Sequence, residues 1–193
     1  MPAPAHPVLE PGRVYRTRDL TTWGKNPTRL AKRLLRGGQL HQLAHGLFYA
    51  PKLTRFGAAP PDDEALLRGF LDGDDFVTTG PPLWNALGLG ATAQFSTTLV
   101  YNSKRSGAFD LGGRRFQLRR VKHPRSPTPE WYAVDLIEHR EMAGLARTEL
   151  EQGLRRALAE GRLDRQRLRL AALEFGTKET QTLVEGSLRS AAA

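Results

Sequence analysis

Residues 26–38, NPTRLAKRLLRGG, limit the possible folds most strongly, because they carry the signals of one short amphipathic helix and of both its ends. Asn26 can cap free backbone N–H groups, Pro27 is tolerated at the first helical position, and the glycine pair after Arg36 permits the left-handed turn that ends a helix. Four apolar side chains lie on one side of this helix: Leu30, Ala31, Leu34 and Leu35. Four cationic side chains lie on the opposite side: Arg29, Lys32, Arg33 and Arg36. We therefore predict a helix that packs on a core through one face and presents positive charge on the other.

The net charge of the chain is concentrated around this helix. The 193 residues carry a net charge of +9, and the segment from Arg13 to Arg55, with ten basic residues and the single acid Asp19, accounts for all of it. Such a cluster attracts a polyanion by Coulomb attraction and by the release of condensed counterions. An anionic membrane surface would require large apolar groups on an exposed helix face, whereas the apolar face predicted here is needed for a core. We therefore expect double-stranded DNA as the partner.

The elements predicted on either side of the helix are typical of a winged helix-turn-helix. Residues 14–22 indicate a short extended segment and a helix that carries Leu20 and ends at Trp23. Residues 39–43 and 47–50 predict two strands joined by a tight turn, with a bulge because Leu40 and Leu43 cannot otherwise share a face. Two short helices followed by such a hairpin, or wing, place the second helix in a major groove.

This geometry assigns DNA contacts to particular residues, because the start of a recognition helix reaches bases while its later part and the wing reach phosphates. The residues predicted to enter the groove are Thr28, Arg29, Lys32 and Arg33. The residues predicted to contact the DNA backbone are Arg16, Arg18, Lys25, Arg36, His41 and His45, with Gln42 as a further polar contact of the wing. Arginine is the side chain best suited to guanine, since its two donors match O6 and N7.

The whole chain is predicted to have an α+β fold with two domains: the winged helix-turn-helix, then a larger α+β domain with a small antiparallel sheet and C-terminal helices. Residues 1–12 are expected to be flexible, residues 13–57 to form the winged helix and residues 58–193 to form the second domain. Residues 53–64, LTRFGAAPPDDE, have the composition of a linker, and Asp62 or Asp63 is expected to cap the next helix.

The second domain is predicted to alternate short helices and strands before it becomes helical. Helices are expected over 64–73 and within 80–90, with a strand over 75–80 between them. Strands are expected over 94–102 and 114–122, with residues 108–113, AFDLGG, turning between them, and SPTPE at 126–130 is expected to interrupt regular structure. Four helices are expected near 133–143, 146–160, 164–175 and 178–189, with Asp164 and Thr177 as caps.

A second basic group occurs in this half of the chain, and its best candidates for a binding surface are Lys104, Arg105, Arg115 and Arg119. Arg115 and Arg119 share one strand face with Gln117, because successive strand residues alternate between faces. The group could extend the DNA footprint, bind RNA or an acidic partner, or be an ordinary solvated sheet face.

Several classes of function are disfavoured by the composition. There is no Cys, which excludes disulfides, thiolate zinc sites and a cysteine nucleophile. The five His residues are scattered, and no phosphate-binding glycine loop or nucleophile elbow occurs, so we expect no catalytic residue, metal or cofactor. A nuclease could use Asp110, but Gln117 and Arg119 on the following strand cannot hold Mg²⁺ as carboxylates do. Without a leader pattern or a membrane-length apolar run, a cytoplasmic location is expected.

Two runs of sequence resemble a known family. Residues 12–51, GRVYRTRDLTTWGKNPTRLAKRLLRGGQLHQLAHGLFYAP, are similar to the N-terminal winged helix of AbiEi-type antitoxins. Residues 78–124, TTGPPLWNALGLGATAQFSTTLVYNSKRSGAFDLGGRRFQLRRVKHP, look like the second domain of the related DUF6088 proteins, in which a helix ending in Leu-Gly-Leu precedes a small sheet. The resemblance covers roughly residues 13–145 and differs at His45, where Arg or Lys is frequent in that family.

The resemblance implies the antitoxin of a type IV toxin–antitoxin system. Its N-terminal domain would repress its own operon, and its C-terminal domain would counter a nucleotidyltransferase toxin without necessarily forming a stable complex. Three alternatives remain open: a stand-alone winged-helix regulator, a nucleic-acid-processing enzyme, and a protein-interaction module that uses the C-terminal helices.

Overall fold

The computed structural model describes residues 7–55, 57–92, 94 and 96–190. The chain is of the α+β class, with small sheets and a helical C-terminal part, as predicted. It divides into two compact units: Met1–Asp75 together with Phe109–Arg115, and Phe76–Ala108 together with Phe116–Ala193. No helix in the described part of the chain is both long and apolar enough to cross a membrane.

The first unit contains a three-stranded sheet, a 3₁₀ helix, two α-helices and a short hairpin. In chain order these are β1 (Val14–Arg16), the 3₁₀ helix (Thr17–Trp23), α1 (Pro27–Arg36), β2 (His41–Ala44), β3 (Leu47–Tyr49), β4 (Lys52–Thr54), β5 (Gly57–Ala59) and α2 (Asp63–Leu71). The sheet has the order β1-β3-β2, and both of its strand pairs are antiparallel. Strands β4 and β5 form a separate two-stranded sheet.

The amphipathic helix has the bounds and the caps that the sequence predicts. The Asn26 side chain accepts a hydrogen bond from the Arg29 N–H at 3.0 Å, and Pro27 begins the helix. At the other end the Gly37 N–H donates to the Arg33 carbonyl at 3.0 Å, and Gly38 has a φ of 68°, in the left-handed region that favours glycine.

One core lies beneath α1. Its buried members are Tyr15, Leu20, Leu30, Ala31, Leu34, Leu40, Phe48 and Ala50. Burying a leucine from this set contributes about 1.5–3 kcal/mol. Leu35 is only partly buried, although it was predicted on the same face. Leu30, Ala31 and Leu34 of α1 therefore pack within the first unit, and the opposite face of the helix is left for solvent.

The hairpin after α1 contains the predicted bulge. His41 pairs with Tyr49 and Gln42 with Phe48, but the next pair is Ala44 with Leu47, so Leu43 is the additional residue. Leu40, which directly precedes β2, and the bulged Leu43 are both buried. Gly46 closes the turn with a φ of 71°.

The first unit extends beyond residue 57, where the sequence placed the domain boundary. Strands β4 and β5, which lie largely within the expected linker of residues 53–64, pair with each other. Helix α2, which Asp62 caps as predicted, packs on β1. The packing is close at Gly69, because a Cβ added there would overlap the Val14 side chain. This contact accounts for the inclusion of α2 in the first unit.

The N-terminal residues 1–12 were expected to be flexible, and Met1–His6 lie outside the described residues. The described part of this segment is held in place. The Glu10 N–H donates to the Tyr15 hydroxyl at 2.8 Å, and the Gly12 N–H donates to the Ala50 carbonyl at 2.7 Å. Leu9 also packs against the first core.

The remaining elements form a sheet and a group of helices. They are β6 (Phe76–Thr79), α3 (Pro81–Ala86), β7 (Thr97–Asn102), β8 (Gly107–Leu111), β9 (Arg114–Arg120), α4 (Pro129–Glu138), α5 (Arg147–Ala159), α6 (Arg165–Phe175) and α7 (Lys178–Ser190). The sheet order is β6-β7-β9-β8, and residues 109–115 of its β8–β9 hairpin belong to the first unit. The core of the second unit includes Trp84, Trp131, Leu136, Leu154 and Val184.

Two local predictions in this part were wrong. Residues 108–113 do not simply turn, since β8 runs through Leu111 and only Gly112 and Gly113, with φ values of 63° and 80°, form the turn. Helix α4 begins at Pro129, inside the segment predicted to be irregular, because the Thr128 hydroxyl caps it by accepting the Trp131 N–H at 3.3 Å. The predicted caps Asp164 and Thr177 are confirmed, by bonds from the N–H groups of Arg167 at 2.8 Å and Thr180 at 3.3 Å.

Candidate nucleic-acid interface

The outer face of α1 carries four cations that remain available. Leu30, Ala31 and Leu34 are at most 6% exposed on the inner face. The outer side chains are all exposed: Arg29, Lys32, Arg33 and Arg36. Among the described residues, none of these four side chains has a carboxylate within 4 Å or a hydrogen bond to another group. Their charge is therefore not neutralised by a described carboxylate of the first unit. We call these four residues the cationic face of α1.

The N-terminal end of α1 extends this face. Lys25 and Thr28 are both exposed, and Lys25 has no ion pair among the described residues. A shallow depression of about 490 Å³ lies beside them, lined by Trp23, Gly24 and Asn26 together with cationic-face residues. The free N–H groups and the dipole at a helix N-terminus favour an anion at the same end.

The β2–β3 hairpin presents the polar side chains that the sequence assigned to it. His41, Gln42 and His45 are exposed. His41 is partly engaged, since its Nδ1 lies 3.3 Å from the Tyr49 hydroxyl and the two rings meet edge to face. The Gln42 side-chain amide donates to the Ala44 carbonyl at 3.3 Å.

Two arginines expected to contact DNA are instead engaged within the first unit. The Arg16 guanidinium donates to the Gly69 carbonyl at 2.8 Å and to the Phe70 carbonyl, both at the C-terminal end of α2, where carbonyls lack helical partners. Arg18 forms an ion pair with Asp72, and Asp19 lies 3.9 Å away. We therefore leave Arg16 and Arg18 out of the candidate interface.

The residues of the second basic group differ in exposure and do not all belong to the same unit. Arg115 is exposed and belongs to the first unit, whereas Lys104, Arg105 and Arg119 belong to the second. Lys104 and Arg105 are exposed after β7, where their backbone N–H groups donate to the Asn102 side chain at 2.9 and 2.8 Å. Arg119, predicted to face outward, is half-buried, and its Nη1 lies 3.0 Å from His139 Nε2.

The partner of Arg119 belongs to a buried polar cluster that the sequence did not reveal. At its centre is Asp135 on α4, which is 5% exposed. Its carboxylate accepts hydrogen bonds from Thr79 Oγ1 at 2.5 Å, Trp84 Nε1 at 2.8 Å and Tyr101 Oη at 2.6 Å. We call these residues, with His139 and Arg119, the Asp135 cluster.

His139 connects Asp135 to Arg119. Its Nδ1 lies 2.8 Å from the Asp135 carbonyl oxygen and 3.4 Å from Oδ1, while Nε2 faces Arg119. A guanidinium can only donate, so Nε2 accepts and Nδ1 carries the proton. The indole ring of Trp84 stacks on the imidazole with centroids 5.4 Å apart.

The electrostatics of the cluster are governed by Asp135. Burial opposes ionisation of this carboxyl, but hydrogen bonds from His139, Thr79 and Tyr101 outweigh it and hold the pKa of Asp135 below its usual range. Burial likewise opposes a charge on His139, yet the hydrogen bond and charge of Asp135 raise the pKa of His139. Burial and the nearby carboxylate raise the pKa of Tyr101, so its hydroxyl remains a donor.

The one signal of this cluster in the sequence is the spacing of Asp135 and His139. Four residues apart on a helix, the two side chains lie on the same face. Their other partners come from β6, α3, β7 and β9, and the partner residue on β6 lies 56 residues from Asp135 in the chain. No local pattern predicts such contacts.

Comparison with models of known protein families gives no match, and comparison with curated proteins gives no significant match. No group of three or more His, Asp or Glu side chains that could hold a metal ion occurs within residues 7–55, 57–92, 94 and 96–190.

Proposed function

We propose that this protein is a DNA-binding transcriptional repressor in which the first unit acts as a winged helix and α1 is its recognition helix. The observation that carries the proposal is the cationic face of α1, whose four exposed side chains have no intramolecular ion pair among the described residues. Ion-paired cations would have little charge to offer a phosphate backbone, whereas these retain it.

The dimensions and surroundings of α1 support the same proposal. Its ten residues span about 15 Å, and a major groove about 12 Å wide admits an α-helix. The 3₁₀ helix precedes it and the β2–β3 hairpin follows it, which is the order of elements in a winged helix. In this arrangement Thr28, Arg29, Lys32 and Arg33 reach base edges, and Lys25, Arg36 and the hairpin reach phosphates.

We further propose, on the resemblance to AbiEi-type proteins, that the repressor is the antitoxin of a type IV system and controls its own operon. Its functional partner would be a nucleotidyltransferase toxin encoded next to it. Co-expression with that neighbouring enzyme tests this part: relief of growth arrest supports an antitoxin, and unrelieved arrest leaves a stand-alone regulator.

DNA binding by α1 can be tested with a double substitution, Arg29→Ala with Arg33→Ala. Fluorescence anisotropy with labelled DNA from upstream of the gene should show affinity at least about 30-fold weaker, because each arginine–guanine contact is worth about 1–3 kcal/mol. The matched control is Arg156→Ala with Arg167→Ala, which removes the same charge from exposed positions on α5 and α6.

The control variant should bind within about threefold of the wild type if position, and not net charge, determines affinity. Both variants should keep the wild-type circular dichroism spectrum, since the substituted side chains are exposed. Equal loss of DNA affinity in the two double variants would contradict the proposal that α1 enters the major groove. Wild-type affinity in Arg29→Ala with Arg33→Ala would contradict it as well.

A further inference from the structure

Arg119 is a half-buried guanidinium whose positive charge has no carboxylate within 4 Å among the described residues. The one described partner of its side chain is Nε2 of His139, at 3.0 Å. By contrast, the side chain of Arg140, 28% exposed on the same unit, lies within 4 Å of both Glu141 and Glu179. A partly desolvated cation without a counter-ion is costly unless something else compensates it.

Asp135 does not supply that compensation directly. The Asp135 carboxylate forms no described ion pair with Arg119, and its oxygens accept hydrogen bonds from Thr79, Trp84 and Tyr101. The imidazole is held by its Nδ1 contacts with Asp135 and by the stacked Trp84 ring. His139 therefore positions Arg119 and leaves the remaining guanidinium donors for another acceptor, since a guanidinium has five N–H groups.

Arg119 lines a cavity of about 450 Å³ in the second unit. The size is within the usual range for small-molecule sites. Arg119 is the single charged residue among the described residues of its lining. Neutral polar groups come from Gln94, Ser96, Thr97 and Gln117, and apolar groups come from Pro81, Leu99 and Met142.

We propose that this cavity binds a small organic anion, a carboxylate or phosphate monoester with an apolar group, with Arg119 as the residue that binds the anionic group. The absence of a described carboxylate from the lining disfavours a cation, and the apolar wall favours a ligand larger than inorganic phosphate. Planar guanidinium groups bind carboxylates and phosphates in a bidentate manner. The site is independent of the proposed DNA contacts, since every residue in it belongs to the second unit.

Calorimetric titration of the full chain, without DNA, tests the proposal with four probes. Phenyl phosphate and benzoate each combine an anion with an apolar ring, inorganic phosphate is the anion alone, and benzyl alcohol is a ring without charge. At least one of the two organic anions should bind tenfold or more tightly than both single-feature probes. Comparing phenyl phosphate with benzoate then identifies the anionic group that the site prefers.

Arg119→Gln should weaken binding of the preferred probe at least tenfold, and Arg119→Lys, which keeps the charge without the fork, should weaken it less. The matched control is Arg120→Gln, the exposed neighbour on β9, which is not among the residues lining the cavity and should change affinity less than twofold. The proposal is overturned if neither organic anion binds, if inorganic phosphate binds as tightly as they do, or if Arg119→Gln and Arg120→Gln behave alike.

Discussion

Asp135 is a buried carboxylate whose charge is stabilised by hydrogen bonds from neutral groups. Moving an unpaired carboxylate into a protein interior costs several kcal/mol. Three donors offset that cost, and each hydrogen bond to a charged group contributes about 1.5–3 kcal/mol. The donors lie on β6, α3 and β7, so one side chain of α4 is hydrogen-bonded to three other elements of the second unit.

We predict that Asp135→Asn lowers the free energy of unfolding by about 2–4 kcal/mol, because the amide presents an N–H where the carboxylate accepted a bond. Urea unfolding followed by tryptophan fluorescence measures the change, since Trp84 and Trp131 are in the affected core. The matched control is Glu160→Gln, which removes the surface ion pair with Arg162 and should cost less than about 1 kcal/mol. Equal losses in the two variants would show that Asp135 is not a structural centre.

The same variant has an expected pH dependence. The pKa of Asp135 is lower in the folded chain than in the unfolded chain, so the charged carboxylate stabilises the fold above the unfolded pKa, near 3.8. That stabilisation is lost as the pH falls through the lower folded pKa. The difference in stability between wild type and Asp135→Asn should therefore narrow below about pH 4.

The arginines of the first unit show what residue type alone cannot predict. Arg16 and Arg29 are equivalent in composition and charge, yet Arg16 caps α2 carbonyls 53 and 54 residues away while Arg29 is exposed. The sequence grouped both as DNA contacts because its signal was local charge density. Partners this distant in the chain are set by tertiary packing, which a local pattern does not encode.

At the scale of elements, α1 is the part of the fold that the sequence predicts best. Its start signal, stop signal and apolar spacing all lie within residues 26–38 and agree with one another. The β2–β3 bulge was predictable for the same reason, since the spacing of Leu40 and Leu43 does not fit a regular alternation. Strand β8 was not predicted, because the glycines after it suggested a turn over residues 108–113. The turn itself consists of Gly112 and Gly113.

The end of α1 depends on glycine at one position. Gly38 has a φ of 68°, and no atom lies within 4 Å of a Cβ added there, so substitution meets backbone strain alone. We predict that Gly38→Ala lowers the free energy of unfolding by about 1 kcal/mol. Gly24→Ala is the matched control, since Gly24 has an extended backbone with φ 174° and its nearest Cβ neighbour is 4.0 Å away.

Urea unfolding of both variants measures the difference. Gly24→Ala should be neutral or slightly stabilising, because alanine restricts the unfolded chain without straining the folded one. If Gly24→Ala lowers the free energy of unfolding as much as Gly38→Ala does, the left-handed backbone at Gly38 is not the reason that glycine is needed after α1.

At the scale of the whole molecule, the distribution of charge matters more than its total. The segment from Arg13 to Arg55 carries the entire net charge of +9, and the rest of the chain is balanced. Within that segment Arg16 and Arg18 are engaged, which leaves five exposed cations at α1 without a described ion pair: Lys25, Arg29, Lys32, Arg33 and Arg36. The pI near 10.4 alone would not distinguish a focused interface from a generally basic surface.

The salt dependence of DNA binding measures how many of those cations neutralise phosphates. If five phosphates are neutralised, the slope of log affinity against log salt concentration is about −4.5, and a fourfold rise in salt weakens binding about 500-fold. Anisotropy titrations at several salt concentrations give the slope directly. Removing Arg29 and Arg33 should reduce the magnitude of the slope by about 2 if both contact phosphates. The reduction should be smaller if they contact bases, because base contacts release no counterions. A slope near zero in the wild type would mean that the charge of α1 is not what binds DNA. A slope well beyond −4.5 would require cations outside α1, and the exposed Lys52 and Arg115 are the first positions to substitute.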